Sequence, residues 1–158
     1  MNSQVLSSQI SAAGAFAALL RAHAALRRRL SAELVAGHGL TINAYEVLLR
    51  LSGAPERRMR GVDLAQQVLL SASGITRLLD GLEKEKLIER IACPDDRRAV
   101  HAVLTNAGER RFQAAAKSHI AQIDTAFAER LSEDEIAAVA ELLERLASAT
   151  DAPNRAGT

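Results

Sequence analysis

Cysteine is almost absent from this chain: Cys93 stands alone among 158 residues. A single cysteine can form neither a disulfide within the chain nor a zinc site of several thiolates, and it fits a reducing, cytoplasmic setting. Tryptophan is missing and aromatics make up only 3%, so alanine and leucine must supply the core. Only three prolines occur, which leaves long stretches open to helix. No run approaches the roughly 18 consecutive apolar residues of a membrane span, and no basic region followed by an apolar run marks a secretory signal. There is no Gly-rich phosphate loop, metal-ligand cluster or nucleophile elbow; no enzyme, cofactor or metal site is therefore expected. The net charge is only +1. That excludes a strongly basic coat protein but permits a site-specific DNA binder, because a few local arginines can supply the phosphate contacts.

The sequence has enough apolar material, 48% of residues, for one ordinary globular domain. Ile10, Ala13, Ala17, Leu20 and Ala24 recur at helical spacing, and Phe16, Leu19, Leu26, Leu30 and Leu34 widen the stripe, which predicts a long helix over residues 10–36. Gly37 and Gly39 are expected to end it. Thr41 predicts an N-cap for a second helix carrying Tyr45, Val47, Leu48 and Leu51, stopped by Ser52-Gly53-Ala54-Pro55. Arg57 to Arg60 reads as extended. A short helix follows from Gly61 to Val68, with Val62, Leu64, Ala65 and Val68 inward. Leu69-Leu70 reads as a turn, and Ser71 caps a helix that runs to about Glu85 with Ile75, Leu78, Leu79 and Leu82 apolar.

Leu87 to Ile91 and Ala99 to Leu104 predict two antiparallel strands joined by Cys93-Pro94-Asp95-Asp96-Arg97-Arg98, a turn-like segment with arginines at its tip. Thr105 predicts the cap of a second long helix with Phe112, Ala116, Ile120, Ile123 and Phe127 in its stripe. Ser132 and Glu135 have capping-box spacing and open a last helix with Ile136, Val139, Leu143 and Leu146 inward. The polar residues 151–158 are expected to be a flexible tail. The expected class is mainly α with a small β-hairpin wing: a winged helix-turn-helix over residues 41–104, flanked by long N- and C-terminal dimerisation helices at 10–36 and 105–150.

This order of elements carries the functional reading. The major groove of B-form DNA admits one helix, and the first turns of that helix reach the base edges. Here those turns hold Ser71, Ser73, Gly74, Thr76 and Arg77, which are small or hydrogen-bonding apart from one arginine able to grip guanine or phosphate. A hairpin tip with Arg97 and Arg98 would lie along the adjacent minor groove, whose negative potential draws arginine, and Asp96 is close enough in sequence to steady Arg98. Arg57, Arg58 and Arg60 admit either a phosphate contact or a solvated loop.

The chain resembles the multiple-antibiotic-resistance regulators, the MarR family. The resemblance lies in Leu40-Thr41-Ile42-Asn43-Ala44-Tyr45-Glu46-Val47-Leu48, in Val62-Asp63-Leu64-Ala65, in the run from Ser71 to Glu83, and in Asp96-Arg97-Arg98-Ala99 through Leu104-Thr105-Asn106-Ala107-Gly108. It extends over residues 10–148. It implies a homodimer built from the first and last helices, bound to a pseudopalindromic operator on double-stranded DNA. It also implies a repressor released by small, often phenolic, anionic ligands, or by oxidation in some members. On this resemblance the wing pair is Asp96 and Arg98, and the recognition-helix contacts are Ser71, Ser73, Thr76 and Arg77.

Two further sets of residues have sharp and bland readings. His23, Arg27 and Tyr45 would suit an aromatic carboxylate if they lined one crevice; ordinary packing is the alternative. Cys93 would make a redox sensor only with a depressed pKa and access. A winged-helix protein-interaction module without operator specificity is the remaining alternative, and the retained Ser73, Thr76 and Arg77 speak against it.

Overall fold

The computed structural model describes residues 11–92 and 100–150, with side chains described as far as residue 148. Among the described residues, six α-helices and one three-stranded sheet follow in the order α1 (Ala12–His38), α2 (Ile42–Gly53), β1 (Arg58–Arg60), α3 (Gly61–Gln67), α4 (Ala72–Lys84), β2 (Ile88–Ala92), β3 (Val100–Leu104), α5 (Asn106–Ala128) and α6 (Glu133–Thr150). The chain is mainly α with a small antiparallel sheet, in the winged-helix arrangement. It divides into two compact units, residues 1–120 and 121–158.

Local chemistry sets most of the helix ends in the first unit. The Ser11 hydroxyl accepts from the Gly14 N–H and starts α1. The helix continues through Gly37, contrary to the expected stop there, and ends at Gly39. Gly39 takes the left-handed conformation (φ 65°) and donates back to Val35, while Leu40 donates to Leu34. Only a residue without Cβ adopts that conformation freely, so the stop belongs to Gly39. Thr41 caps α2 by accepting from the Ala44 N–H. A single 3-10 turn, Pro55–Arg57, then leads into β1.

The sheet order is β1-β3-β2, with β3 in the middle. Arg58, Met59 and Arg60 pair antiparallel with Val103, Ala102 and His101. On the other side of β3, Ile88 pairs with Leu104 and Ala92 with Val100. The expected hairpin is therefore a three-stranded sheet, because the extended basic segment adds an edge strand. The core of this unit gathers Leu34 of α1, Val47, Leu48 and Leu51 of α2, Leu64 of α3 and Ile88 of β2, all essentially inaccessible. Leu40, Ile75, Leu79, Ala102, Leu104 and Phe112 are among the residues that join it. Val62, expected to face inward, is instead 63% exposed. In the seven-residue α3, the inward face is taken by Leu64, Ala65 and, at its end, Val68.

The turn between α3 and α4 is tight. Leu69 has φ 55° and is 91% exposed, an apolar residue held in the left-handed region with no packing to offset the strain. After α4, Lys86 turns the chain with φ 60° into β2. Thr105 joins β3 to α5. Its hydroxyl accepts from the Gly108 N–H at 2.9 Å and lies 2.8 Å from the Lys86 carbonyl and 3.1 Å from that of Leu87. Its own N–H donates to the Leu87 carbonyl.

The second unit holds the end of α5 and α6. Ser132 and Glu135 form the expected capping box: the Glu135 carboxylate accepts from the Ser132 N–H at 2.9 Å, and the Ser132 hydroxyl accepts from the Glu135 N–H at 3.4 Å. The Ser132 hydroxyl also donates to Glu135 Oε2 at 3.0 Å, and the two bonds that the carboxylate accepts, the backbone one first, hold the Glu135 carboxyl below the usual carboxylate range. Ile136 and Val139 are half-buried, whereas Leu142, Leu143 and Leu146 are exposed in the single chain.

Candidate nucleic-acid interface

Helix α4 has the features of a DNA-reading element. Its N-cap is Ser71, whose hydroxyl accepts from the Gly74 N–H at 3.1 Å. The same oxygen is 3.3 Å from the Ser73 hydroxyl, which ties the first turn together. Gly74 is suited to this place: a Cβ there would sit 3.2 Å from the Ser71 oxygen and crowd the cap. Ile75, Leu79 and Leu82 turn inward to the core, leaving Ala72, Ser73, Thr76, Arg77 and Asp80 on the exposed side. The Thr76 hydroxyl donates to the Ala72 carbonyl at 2.8 Å, so it rests on the helix while its oxygen can still accept a hydrogen bond. Among the described residues Arg77 has no ion-pair partner. It is a long, uncommitted cation one turn from a helix N-terminus, where the backbone N–H groups also attract anions.

The structure brings Ser71, Ser73, Gly74, Thr76 and Arg77 together on one helix, as the sequence predicts. Asp96, Arg97 and Arg98 lie outside the described residues, as does Cys93. The arginines of the β1 region are committed to neighbouring acids. Arg58 pairs with Glu56 at 2.9 Å, and Arg60 grips both carboxylate oxygens of Asp63 at 2.8 and 3.1 Å. Arg57, on the turn with φ 53°, acts at longer range. It is one of the causes that lower the pKa of Glu109, after hydrogen bonds from Gln113 and, against some desolvation, Ser52.

Two residues important to this surface have no signature in the sequence. Arg90 on β2 reaches Asp80 on α4, ten positions away. A regular pattern gives no hint of such a pair, since it depends on how the strand lies beside the helix. Beside them, a cleft of about 660 Å³ opens between α3, α4 and the sheet, lined by Val62, Ile75, Thr76, Leu79, Arg90 and Val100. This cleft accounts for the exposure of Val62 and Val100.

The three residues considered for a small ligand do not share one crevice. His23 and Arg27 line an open groove along α1 with Arg28, Ser31, Val35 and Ile42. Arg27 is anchored there by Glu46 at 3.2 Å and by the Asn43 carbonyl oxygen at 2.5 Å. Tyr45 lies in the core instead, its ring centroid 5.6 Å from that of Phe112 and 4.7 Å from that of His119. Burial raises the Tyr45 pKa. The apolar stripe of α2 points its tyrosine inward, while Asn43 and Glu46 stand on the side that meets α1.

His119, against the Tyr45 ring, is a second buried titratable group of this region. It is 7% exposed, and its Nδ1 has no hydrogen-bond partner among the described residues. Burial lowers its pKa, against the opposing pull of the Glu33 and Glu46 carboxylates. The folded ring thus resists a proton that the unfolded chain accepts. Its influence on stability is neutral above the ordinary histidine pKa of about 6.5 and becomes a growing penalty as the pH falls below it. Denaturant titrations between about pH 5 and 7.5 should show stability declining on the acid side, and His119→Leu should flatten that decline. An equal decline in parent and variant would remove His119 as its cause.

A sequence model of the MarR family matches residues 38–99. Among curated proteins, the chain is 30% identical over 115 residues to the HTH-type transcriptional repressor YetL of Bacillus subtilis, covering 70% of this chain and 68% of that one. It is 31% identical over 109 residues to the HTH-type transcriptional regulator MhqR of the same organism, covering 69% and 73%. Among solved structures, it is similar to Sco3205, a MarR family transcriptional regulator from Streptomyces coelicolor crystallised in complex with DNA. That match has a TM-score of 0.78 at 25% identity and covers 94% of both chains.

Proposed function

Because the chain belongs to the MarR family of transcriptional regulators, we propose that it is a repressor that binds a pseudopalindromic operator as a homodimer and leaves it when a small aromatic or anionic ligand binds. The observation that carries this reading is the exposed first half of α4. A capped helix start, small polar side chains and an Arg77 without an ion-pair partner among the described residues stand together on one exposed helix face, and a major groove admits one helix. The solved relative that binds DNA shares this architecture over almost its whole length. In the operator complex, Ser73, Thr76 and Arg77 would read base edges or hold phosphates. Ser71 and Gly74 would set the helix start, and Asp96, Arg97 and Arg98 would enter the neighbouring minor groove.

The homodimer is supported by apolar side chains left in water. Phe16 and Leu20 of α1 are 62% and 52% exposed, and Leu142 and Leu146 of α6 are 55% and 60% exposed. Covering apolar surface is worth roughly 25 cal/mol per Å², so faces of this kind call for a second copy of the chain. Two-fold pairing would set two α4 helices about one DNA turn apart. For the ligand, the groove of His23 and Arg27 offers a cation beside apolar walls, suited to an aromatic carboxylate. Such a ligand would compete with Glu46 and Asn43 for Arg27. Tyr45, next to Glu46 on α2, would respond to that change through the helix without touching the ligand.

Fluorescence anisotropy with duplex DNA from upstream of the gene tests the reading. The expected result is binding that is sequence-specific, weakens steeply with salt and is reversed by simple aromatic acids that also raise the melting temperature. Equal affinity for scrambled duplex would overturn the regulator reading. Specific binding untouched by a panel of such acids would overturn the ligand.

A further inference from the structure

Arg90 binds the recognition helix at three successive levels from its place on β2. Its Nη1 donates to Asp80 Oδ1 at 2.6 Å, and its Nη2 donates to the main-chain carbonyl of Thr76 at 3.2 Å. Its backbone N–H donates to Glu83 Oε1 at 3.2 Å, with the guanidinium 3.7 Å from the other oxygen of that carboxylate. Thr76, Asp80 and Glu83 stand at i, i+4 and i+7, a single stripe of α4. The arginine side chain is only 26% exposed, while Asp80 is 57% exposed. The planar guanidinium fork is thus held by two acceptors on one rigid helix, an arrangement that fixes direction as well as distance.

An ion pair with one partner this exposed adds little to stability, so its main product is geometry. It is a polar tie between α4 and β2, added to the core packing that Leu79, Leu82 and Ile88 share and to the tight turn at Lys86 that joins the two in sequence. β2 runs on to Ala92 and from there to the sequence segment that carries Asp96, Arg97 and Arg98. Thr76, whose carbonyl Arg90 holds, is the immediate neighbour of Arg77. The pair also offsets the charge of an exposed carboxylate on the reading helix.

We infer that Arg90, acting through Asp80 and the Thr76 carbonyl, is a positioning residue for operator recognition: it locks the reading helix to the wing strand so that both engage DNA at a fixed mutual angle. The inference rests on the DNA-binding reading above and adds to it a residue that touches no base.

Asp80→Asn, Arg90→Ala and the double variant test it, measured for affinity to the upstream duplex together with melting temperature and dimer size. The sign of the Asp80→Asn effect decides most. Removing a negative charge from a DNA-facing helix tightens binding if charge alone matters, and loosens it if the clamp matters. The expected result is a loss of about threefold for Asp80→Asn and about tenfold for Arg90→Ala, with the double variant no weaker than Arg90→Ala. Melting temperature and dimer size should stay near the parent values, which a merely structural role would not allow. Parent-like or tighter binding by Asp80→Asn overturns the inference, and so does additivity in the double variant. A salt slope that falls by about one unit in Arg90→Ala also overturns it, since the arginine would then be touching a phosphate itself. Asp80→Asn lies at an exposed position and decides the matter even if Arg90→Ala does not fold. A parent that fails to bind its own upstream DNA overturns the DNA reading and this inference together; a binding parent with a parent-like Asp80→Asn overturns this inference alone.

Discussion

Gly108→Ala should lower the melting temperature by about 10 °C, corresponding to a loss of about 3 kcal/mol at the upper end of ordinary overpacking. A Cβ built at Gly108 would stand 2.0 Å from the carbonyl oxygen of Leu87 and 2.7 Å from a methyl carbon of Leu104. Backbone freedom is not the issue; the first turn of α5 simply lies against the carbonyl. Leu87 cannot easily move away. Its oxygen accepts from the Thr105 N–H at 3.1 Å, and the Thr105 hydroxyl lies at the same distance from it while accepting from the Gly108 N–H. Leu87 and Leu104 themselves are core residues. Relief therefore requires α5 to lift from the sheet, opening a core that is packed like a solid. Thermal and urea unfolding of the variant would check this, and a melting temperature within a degree or two of the parent would show that the contact yields cheaply.

Arg77→Ala should weaken operator binding by between about tenfold and a hundredfold while leaving the fold intact. The side chain is exposed and without an ion-pair partner among the described residues, and alanine is the better helix former, so neither stability nor dimerisation should suffer. The manner of the loss identifies the role. A base contact, once removed, relaxes preference at one operator position. A phosphate contact weakens all sequences alike and reduces the salt slope by about one unit. Anisotropy across a set of single-base operator variants at two salt concentrations separates these. Parent-like affinity throughout would take Arg77 out of the interface.

These two residues also mark how far a sequence can be read. The caps at Thr41, Ser71, Thr105 and Ser132 are legible because each is closed by a bond to a backbone N–H three residues on. The inward stripe of α4 is legible because helical periodicity is local too. What depends on distant partners is not. Arg57 to Arg60 reads as extended, but Arg57 closes the 3-10 turn, and only pairing with Val103 to His101 makes Arg58 to Arg60 a strand. Val62 has the side chain of a core residue and lies at the rim of a cleft, because a helix of two turns has too little inward face to hold it. Tyr45 is open to a ligand reading in the sequence, but Phe112 and His119, more than sixty positions later, pack against its ring. Arg90 and Asp80 are both ordinary surface charges in the sequence. The Gly108 requirement is half visible: the spacing Leu-Thr-x-x-Gly announces a helix start, while the reason for glycine lies in the Leu87 carbonyl across the join.

The central place of β3 determines how little of this protein can stand alone. β1 and β2 both hydrogen-bond to β3 and not to each other, so a chain cut before Val100 has strands with nothing to pair to. The Thr105 hydroxyl and Gly108 then fasten the end of β2's entry turn to α5. The smallest autonomous reader of DNA therefore does not stop where the helix-turn-helix stops. It extends through the sheet into the first turn of the helix beyond it, where Gly108 lies against the Leu87 carbonyl.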